Sequence, residues 1–134
     1  LYEAANAGVK IELVIRGICR LVPRENIHIR RIVDRYLEHG RIFLFHNNGN
    51  EEMFLGSADW MSRNIYRRIE VCFPIYCDKV KKELKNLLAF QLKDNVQAVY
   101  IDAEMKNIPI PVVGDLVQSQ LAIYQYLKSK QNDE

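Results

Sequence analysis

The sequence predicts an α/β fold in which one mixed sheet is flanked by helices. Apolar runs of strand length alternate with segments that carry apolar residues at helical spacing. Runs that are apolar almost throughout are typical of strands buried on both faces, and helices are the usual cover of such a sheet. Of the 134 residues, 49% are hydrophobic and 27% are charged, which is typical of a globular chain and excludes a disordered one. We therefore expect a single domain over residues 1–134.

The individual elements follow from local sequence patterns. Strands are predicted at 10–17, 41–47, 53–59, 69–75 and 96–102, and helices at 1–8, 79–93 and 115–129. Residues 27–39 fit either a strand or one short helical turn, so this segment stays ambiguous. Polar and proline-containing stretches predict loops at 60–68 and 104–114.

The two clearest local predictions are a hairpin and a helix. Residues 41–47 and 53–59 flank a turn rich in asparagine and glycine, which predicts an antiparallel hairpin. In 79–93, five apolar residues recur on one helical face, and Asp78 is placed to cap the first turn. The first helix ends at Gly8, and because a helix that ends so early is expected to begin before it, we expect a fragment of a longer protein.

The distribution of positive charge indicates an anion site in the first half of the chain. The formal net charge is only +2, so the whole molecule is not a general binder of polyanions. All ten arginines nevertheless lie within residues 16–68, and beyond them lysine is the only fixed cation. Arginine offers a planar set of donors that matches phosphate oxygens, whereas lysine is common on solvated helix faces. The segregation predicts phosphate chemistry in the arginine-rich half.

Arg16, His39 and Arg41 are the first candidates for such a site. Arg16 follows a predicted strand and precedes Gly17, and strand ends are where ligands bind in α/β sheets. His39 and Arg41 stand two residues apart at the start of an apolar strand, so their side chains leave the same face. Histidine exchanges protons near neutral pH, which suits phosphate chemistry. The alternatives are a surface arginine that begins a loop and a His39–Arg41 pair that only caps a strand.

The segment after the hairpin supplies further candidates. Asp59 follows the small residues 56–58, and its carboxylate either orients a histidine or an arginine or faces solvent in a turn. Residues 62–68 add arginines and an amide, which either form a solvated face or approach an anion. The second-tier candidates for phosphate contacts are Arg41, Asp59, Arg63, Asn64, Arg67 and Arg68. No residue spacing predicts a metal site, and the three cysteines are expected to be reduced thiols of a cytoplasmic protein.

Four long strings along the chain carry a family resemblance. They are NAGVKIELVIRGICRLVP at 6–23, IVDRYLEHGRIF at 32–43, SADWMSRNIYRRIEVCFPI at 57–75 and QLAIYQYLKS at 120–129. In this order they resemble the C-terminal domain of the polyphosphate kinases that work through a phosphohistidine. The resemblance covers nearly the whole chain and is more specific than a single motif. It implies reversible transfer of the terminal phosphate of ATP to long-chain polyphosphate, with magnesium.

That domain is similar to one half of the phospholipase D fold, so the resemblance implies a phospholipase D-like mixed sheet flanked by helices. The signature of that fold is His-x-Lys, four residues, Asp, and later Gly-Ser-x-Asn. Here it becomes His39-Gly-Arg41, then His46, then the segment from Gly56 to Asp59. Arginine replaces the lysine, His46 replaces the acidic residue and Asp59 replaces the asparagine. These departures disfavour an independent phosphodiesterase and leave a phosphate-binding scaffold.

The resemblance also implies roles for residues and partners. Arg16 and His39 would contact the ATP phosphates, and His39 would be catalytic, stabilising or protonating the transferring group and its leaving oxygen opposite a phosphohistidine on the preceding domain. Arg16 would neutralise charge on the equatorial oxygens. Mg²⁺ would be bound mainly by the preceding domains of the same chain. The full-length enzyme would be a cytoplasmic homo-oligomer that binds no nucleic acid, with membrane association left open, and the fragment alone would be inactive.

Two other functions stay open from the sequence. One is a phospholipase D-like phosphodiesterase, which would dimerise so that two copies of His39 face each other. The other is a non-catalytic module that binds polyanions or a partner protein. Turnover by the longer protein separates both of them from a kinase.

Overall fold

The computed structural model describes residues 1–131, which form two compact units. The helices are α1 (Tyr2–Asn6), α2 (Ser62–Arg67), α3 (Asp78–Lys93) and α4 (Ser119–Gln131), and the strands are β1 (Ile11–Ile15), β2 (Ile27–Ile32), β3 (Ile42–Phe45), β4 (Glu52–Gly56), β5 (Cys72–Pro74), β6 (Ala98–Ile101) and β7 (Asn107–Pro109). The small unit is Glu38–Asn86, and the large unit contains residues 1–37 and the chain from Leu87 onward. The single domain over residues 1–134 stays a prediction. None of the helices within residues 1–131 has the length and apolar character needed to cross a membrane.

The large unit contains a mixed four-stranded sheet. Its strand order is β1-β2-β6-β7, with β1 parallel to β2 and the other neighbours antiparallel. Ile27 and Ile29 of β2 are buried and form the core with Ala5 and Ile101. Ile32 is buried as well, and it projects from the opposite face of β2 because side chains alternate along a strand. The ambiguous segment therefore begins as a strand that is covered on both faces.

The small unit contains an antiparallel three-stranded sheet with the order β3-β4-β5. The predicted hairpin is confirmed, with Ile42 opposite Leu55 and Phe45 opposite Glu52. The α/β class is confirmed too, but the strands are divided between two sheets instead of forming one. Which strands pair depends on contacts between distant parts of the chain, and an apolar run does not specify its partner.

Two segments of the small unit differ from the sequence-based prediction. The predicted loop at 60–68 contains α2, whose first turn forms because the carbonyl of Met61 accepts the N–H groups of Asn64 and Ile65 at 2.9 and 3.0 Å. The predicted buried strand at 69–75 is reduced to the three residues of β5, and all three are exposed. The reason is that β5 is an edge strand with β4 as its neighbour in the sheet.

Two segments of the large unit also differ. The predicted loop at 104–114 contains β7, which pairs with β6 and ends at Pro109; proline is tolerated there because β7 is an edge strand. The last helix begins at Ser119 and not at residue 115. Asn95 binds the preceding segment, because its N–H donates to the Val117 carbonyl at 3.0 Å and its side chain accepts the Val117 N–H at 2.8 Å. These backbone groups are therefore not available to a helix.

Asp94 is a fully buried carboxylate that joins three elements of the large unit. Its Oδ1 accepts the N–H groups of Val96, Gln97 and Ala98 at 3.1, 2.8 and 3.0 Å, ahead of β6. Its Oδ2 accepts the N–H of Ser119 at 2.7 Å, at the start of α4. Burial opposes the charged form, but the hydrogen bonds from Ser119 and from the backbone outweigh it and lower the pKa of Asp94 below its ordinary value.

Candidate functional site

Arg16 lies in the turn that leaves β1, beside Gly17, as the sequence predicts. Arg31 of β2 holds this turn, because its Nε donates to the Gly17 carbonyl at 3.0 Å. The Nη1 of the same side chain donates to Oδ1 of Asn107 at 2.7 Å. Arg31 also stands opposite Ile15 in the β1–β2 register. The turn that carries Arg16 is thus fixed by a side chain that reaches from the end of β1 to β7.

Replacement of Arg31 by methionine is expected to loosen the turn at Arg16 and Gly17. Methionine keeps the apolar stem but donates no hydrogen bond, and a bond of this kind is worth about 1 kcal/mol, so the amides of residues 16–18 should exchange about 5-fold faster. Hydrogen exchange read by mass spectrometry measures this rate. Arg20→Met, at an exposed arginine of the same connection, is the matched control. Unchanged exchange in Arg31→Met would mean that the β1 backbone alone holds the turn.

His39, Arg41 and Asp59 form one hydrogen-bonded group in the small unit, here called the His39 cluster. Arg41 is its centre: Nε and Nη2 donate to Oδ1 of Asp59 at 3.1 and 2.8 Å. Nη1 donates to the His39 carbonyl at 2.6 Å and lies 3.1 Å from Nδ1 of the His39 ring. His39 itself is exposed. The structure therefore brings together three of the residues that the sequence singles out.

The hairpin and an aromatic pair place Asp59 beside Arg41. The N–H of Gly56 donates to the Arg41 carbonyl at 3.1 Å, which extends the β3–β4 pairing to the start of the cluster. Just beyond Asp59, the ring of Trp60 stacks on Phe43, with 5.7 Å between ring centroids and 17° between ring planes. Gly56 permits this packing, because a Cβ there would lie 3.1 Å from the Phe43 ring. The turn that carries Asp59 is thus packed against the sheet.

A second group in the small unit is built around Glu70. The Ser57 hydroxyl and Nδ2 of Asn64 donate to its carboxylate, the latter at 2.8 Å, and Nε of Arg68 lies 3.8 Å away. The hydrogen bonds from Ser57 and Asn64 lower the pKa of Glu70 below its ordinary value. Asn64 is buried, and its Oδ1 has no hydrogen-bond partner in the described part of the chain. Asn64 therefore holds Glu70 in this structure and does not lie on the surface.

The second-tier arginines are not gathered at one point. Arg63 and Arg67 are exposed on α2, and Arg68 is exposed at the end of that helix, with its guanidinium toward Glu70. Arg41 is engaged within the His39 cluster. The structure thus separates one arginine that is built into the small unit from three that lie on its surface.

Sequence reasoning missed Glu70 and Arg31, which organise two parts of the candidate site. Glu70 had a signal, because an acidic residue inside the otherwise apolar stretch 69–75 needs partners if the stretch is even partly buried. Arg31 had a weaker one, since it follows Arg30 within an apolar strand, where two adjacent arginines are unusual. Neither residue's partners could be read from its neighbours in sequence.

Comparison with known proteins places this architecture in a family. The chain superposes on the crystal structure of polyphosphate kinase from Porphyromonas gingivalis with a TM-score of 0.95 and 47% identity, covering 100% of this chain and 22% of that one. A family model described as Polyphosphate kinase C-terminal domain 2 matches residues 1–120. The chain is 45% identical to the polyphosphate kinase of Klebsiella pneumoniae and 47% identical to that of Vibrio parahaemolyticus, over 96% of its length in both cases.

The fold is an α/β domain of the phospholipase D-like type, as the sequence predicts. The chain belongs to the polyphosphate kinase C-terminal domain 2 family. It spans only about one fifth of the length of the curated relatives it matches, 20% of the Klebsiella protein and 19% of the Vibrio protein.

Proposed function

We propose that this chain is the C-terminal catalytic part of a polyphosphate kinase, which transfers the terminal phosphate of ATP reversibly to long-chain polyphosphate. The observation that carries the proposal is the His39 cluster, in which an exposed imidazole is held by an arginine on a chain of this family. The relatives compared above are named polyphosphate kinases. In this proposal a phosphohistidine forms on the preceding part of the longer protein, outside this chain.

In the proposed reaction, His39 stabilises or protonates the transferring group and its leaving oxygen. Arg16 neutralises charge on the equatorial oxygens of the phosphoryl group. Phosphoryl transfer depends mainly on positioning and on electrostatic stabilisation, and the two side chains supply both. The exposed Arg63, Arg67 and Arg68 add positive charge to the surface of the small unit, which favours approach of a polyanion at low salt.

Mg²⁺ enters the proposal with ATP and with the preceding domains. Within residues 1–131, no group of three or more histidine, cysteine or carboxylate side chains is placed to hold a metal ion. Asp59 and Glu70 both accept hydrogen bonds from protein donors. The proposal therefore gives this chain the phosphate contacts and assigns the metal contacts elsewhere. It also includes a cytoplasmic, homo-oligomeric full-length enzyme that binds ATP and polyphosphate and no nucleic acid.

The proposal assigns an exposed apolar segment of the small unit to contact with the preceding domains. Within residues 65–73, the side chains of Tyr66 and Ile69 are 82% and 99% exposed, and Ile65, Val71 and Phe73 are exposed as well. Burying side chains of this size is favourable by about 1.5–3 kcal/mol each. Since the relatives are about five times as long as this chain, their additional domains offer a cover for such a surface. For this reason we expect the isolated chain to be inactive.

The test follows the phosphate during turnover of the full-length protein. The protein is incubated with Mg²⁺ and ATP labelled at the terminal phosphate, trapped during turnover and mapped by peptide mass spectrometry. We expect label in polyphosphate and acid-labile phosphate on a histidine outside residues 1–134. Phosphate on His39, together with cleavage of a phosphodiester without ATP, would instead identify a phosphodiesterase. Binding of polyphosphate without its synthesis would identify a polyanion-binding module.

A further inference from the structure

We propose that Arg41 is a positioning residue for His39 and not a ligand of phosphate. Held by Asp59, Arg41 fixes His39 in the tautomer whose Nε2 carries the proton, so that Nε2–H is the donor offered to the transferring phosphoryl group. This inference deepens the proposed function and rests on the role that it gives to His39.

The hydrogen-bond donors of Arg41 are almost fully used within the small unit. A guanidinium has five N–H donors and no acceptor. The Nε–H and one Nη2–H are directed to Asp59, and the two Nη1–H groups are directed to the carbonyl and to Nδ1 of His39. Among the described contacts, one N–H on Nη2 is left over. Arg41 therefore lacks the pair of parallel donors with which an arginine binds a phosphate in a bidentate manner.

The contact with Nδ1 determines the tautomer of the His39 ring. Because Arg41 can only donate, Nδ1 must accept through its lone pair, and the proton of the neutral imidazole is then on Nε2. The bond from the same Nη1 to the His39 carbonyl holds the guanidinium to the main chain of the residue it orients. A ring fixed in this way presents a preoriented donor, the type of group that stabilises charge developing on a phosphoryl oxygen.

Asp59 keeps the guanidinium in the orientation that His39 requires. Its Oδ1 accepts from both Nε and Nη2, and these two contacts restrict rotation of the guanidinium. The side chains of Arg41 and Asp59 are only 15% and 28% exposed, so water and salt screen this pair less than a fully exposed ion pair. Asp59 is itself held by the turn that packs Trp60 on Phe43. Positioning thus passes from Asp59 to Arg41 and from Arg41 to His39.

The two departures from the phospholipase D signature are explained together by this arrangement. Arg41 stands at the lysine position and Asp59 at the asparagine position, and the two side chains bind each other. A lysine has a single nitrogen and could not bind Asp59 and both groups of His39 with the same fixed geometry. The substitution of both positions therefore replaces separate polar groups by one oriented ion pair.

The test is a double-mutant cycle measured on the full-length enzyme. Arg41→Met is expected to lower kcat by about 10-fold while changing the KM for ATP by less than about 2-fold, because positioning in the transition state is lost and ground-state binding is not. In the His39→Ala background the same substitution should lower kcat by less than about 2-fold, because no imidazole is left to position. Asp59→Asn should lower kcat in the same direction and by less. Arg20→Met, which removes an exposed arginine outside the candidate site, should leave both constants unchanged.

Each contrary outcome has a distinct meaning. A raised KM for ATP with kcat retained in Arg41→Met would make Arg41 a phosphate ligand and overturn the inference. Losses that multiply in the Arg41→Met and His39→Ala double variant would overturn it as well, because Arg41 would then act independently of His39. An unchanged kcat in His39→Ala alone would instead overturn the proposed role of His39. If Arg41→Met does not fold, Arg41→Lys, which keeps a positive charge beside Asp59, takes its place in the cycle with the same criteria.

Discussion

Replacement of His39 by alanine in the full-length enzyme is expected to lower kcat by about 100-fold or more, both for polyphosphate synthesis and for the reverse reaction. Alanine removes the group that donates to the transferring phosphoryl group and leaves Arg41 and Asp59 with their own ion pair. The loss should therefore appear in kcat without loss of folding. Initial rates in both directions, together with the unfolding temperature of the variant, measure the two effects separately.

His46→Ala is the matched control for this experiment. His46 is also an exposed histidine of the small unit, and it lies at the other end of β3. Its carbonyl accepts the Gly49 N–H at 3.0 Å, a backbone contact that alanine retains. We expect rates within about 2-fold of the wild type, as for most surface substitutions. Equal rates in the wild type and in His39→Ala would remove His39 from the reaction and favour a polyanion-binding module.

Replacement of Asp94 by alanine is expected to lower the free energy of unfolding by about 3–4 kcal/mol. The substitution removes the acceptor of four backbone N–H groups at a fully buried position. Those of Ala98 and Ser119 are themselves buried, so water does not replace the lost carboxylate at low cost. Urea denaturation of the 134-residue chain, followed by circular dichroism, measures the change.

Asp102→Ala is the control that separates burial from capping. Asp102 also accepts two backbone N–H groups, those of Glu104 and Lys106 at 2.9 and 2.8 Å, but these groups are exposed. We expect a loss of about 1 kcal/mol there, as for an exposed cap. Equal losses at Asp94 and Asp102 would contradict the argument from burial.

The pH dependence of stability provides a second readout for Asp94. Because the folded state lowers its pKa, the ionised carboxylate stabilises the fold fully above the unfolded-state pKa of about 4. This contribution decreases as the pH falls through the lower folded-state pKa. Asp94→Asn, which does not titrate, should therefore lose less stability than the wild type over the same acidic range. The same slope in both proteins would show that other carboxylates cause the dependence.

The predictions that proved correct rest on local patterns. The turn rich in asparagine and glycine predicts the β3–β4 hairpin, and the apolar stripe with Asp78 predicts α3; both are confirmed. The position of Arg16 after β1 is confirmed too. The predictions that proved wrong concern α2, β5, β7 and the start of α4, where the outcome depends on a carbonyl, a neighbouring strand or a side chain elsewhere in the chain. The contact of Arg16 and His39 with ATP phosphates stays a prediction.

The sequence by itself determined the family, the α/β class and the adjacency of His39 and Arg41, because long strings, apolar periodicity and a spacing of two residues are properties of the chain alone. Only the tertiary structure decided that Arg41 binds Asp59, that Arg31 holds the Arg16 turn and that Asp94 joins α4 to β6. Each of these contacts joins residues separated by 14 to 25 positions. Such pairs meet only after strands have paired and helices have packed, so the partner of a polar side chain is set by the fold and not by its neighbours in sequence.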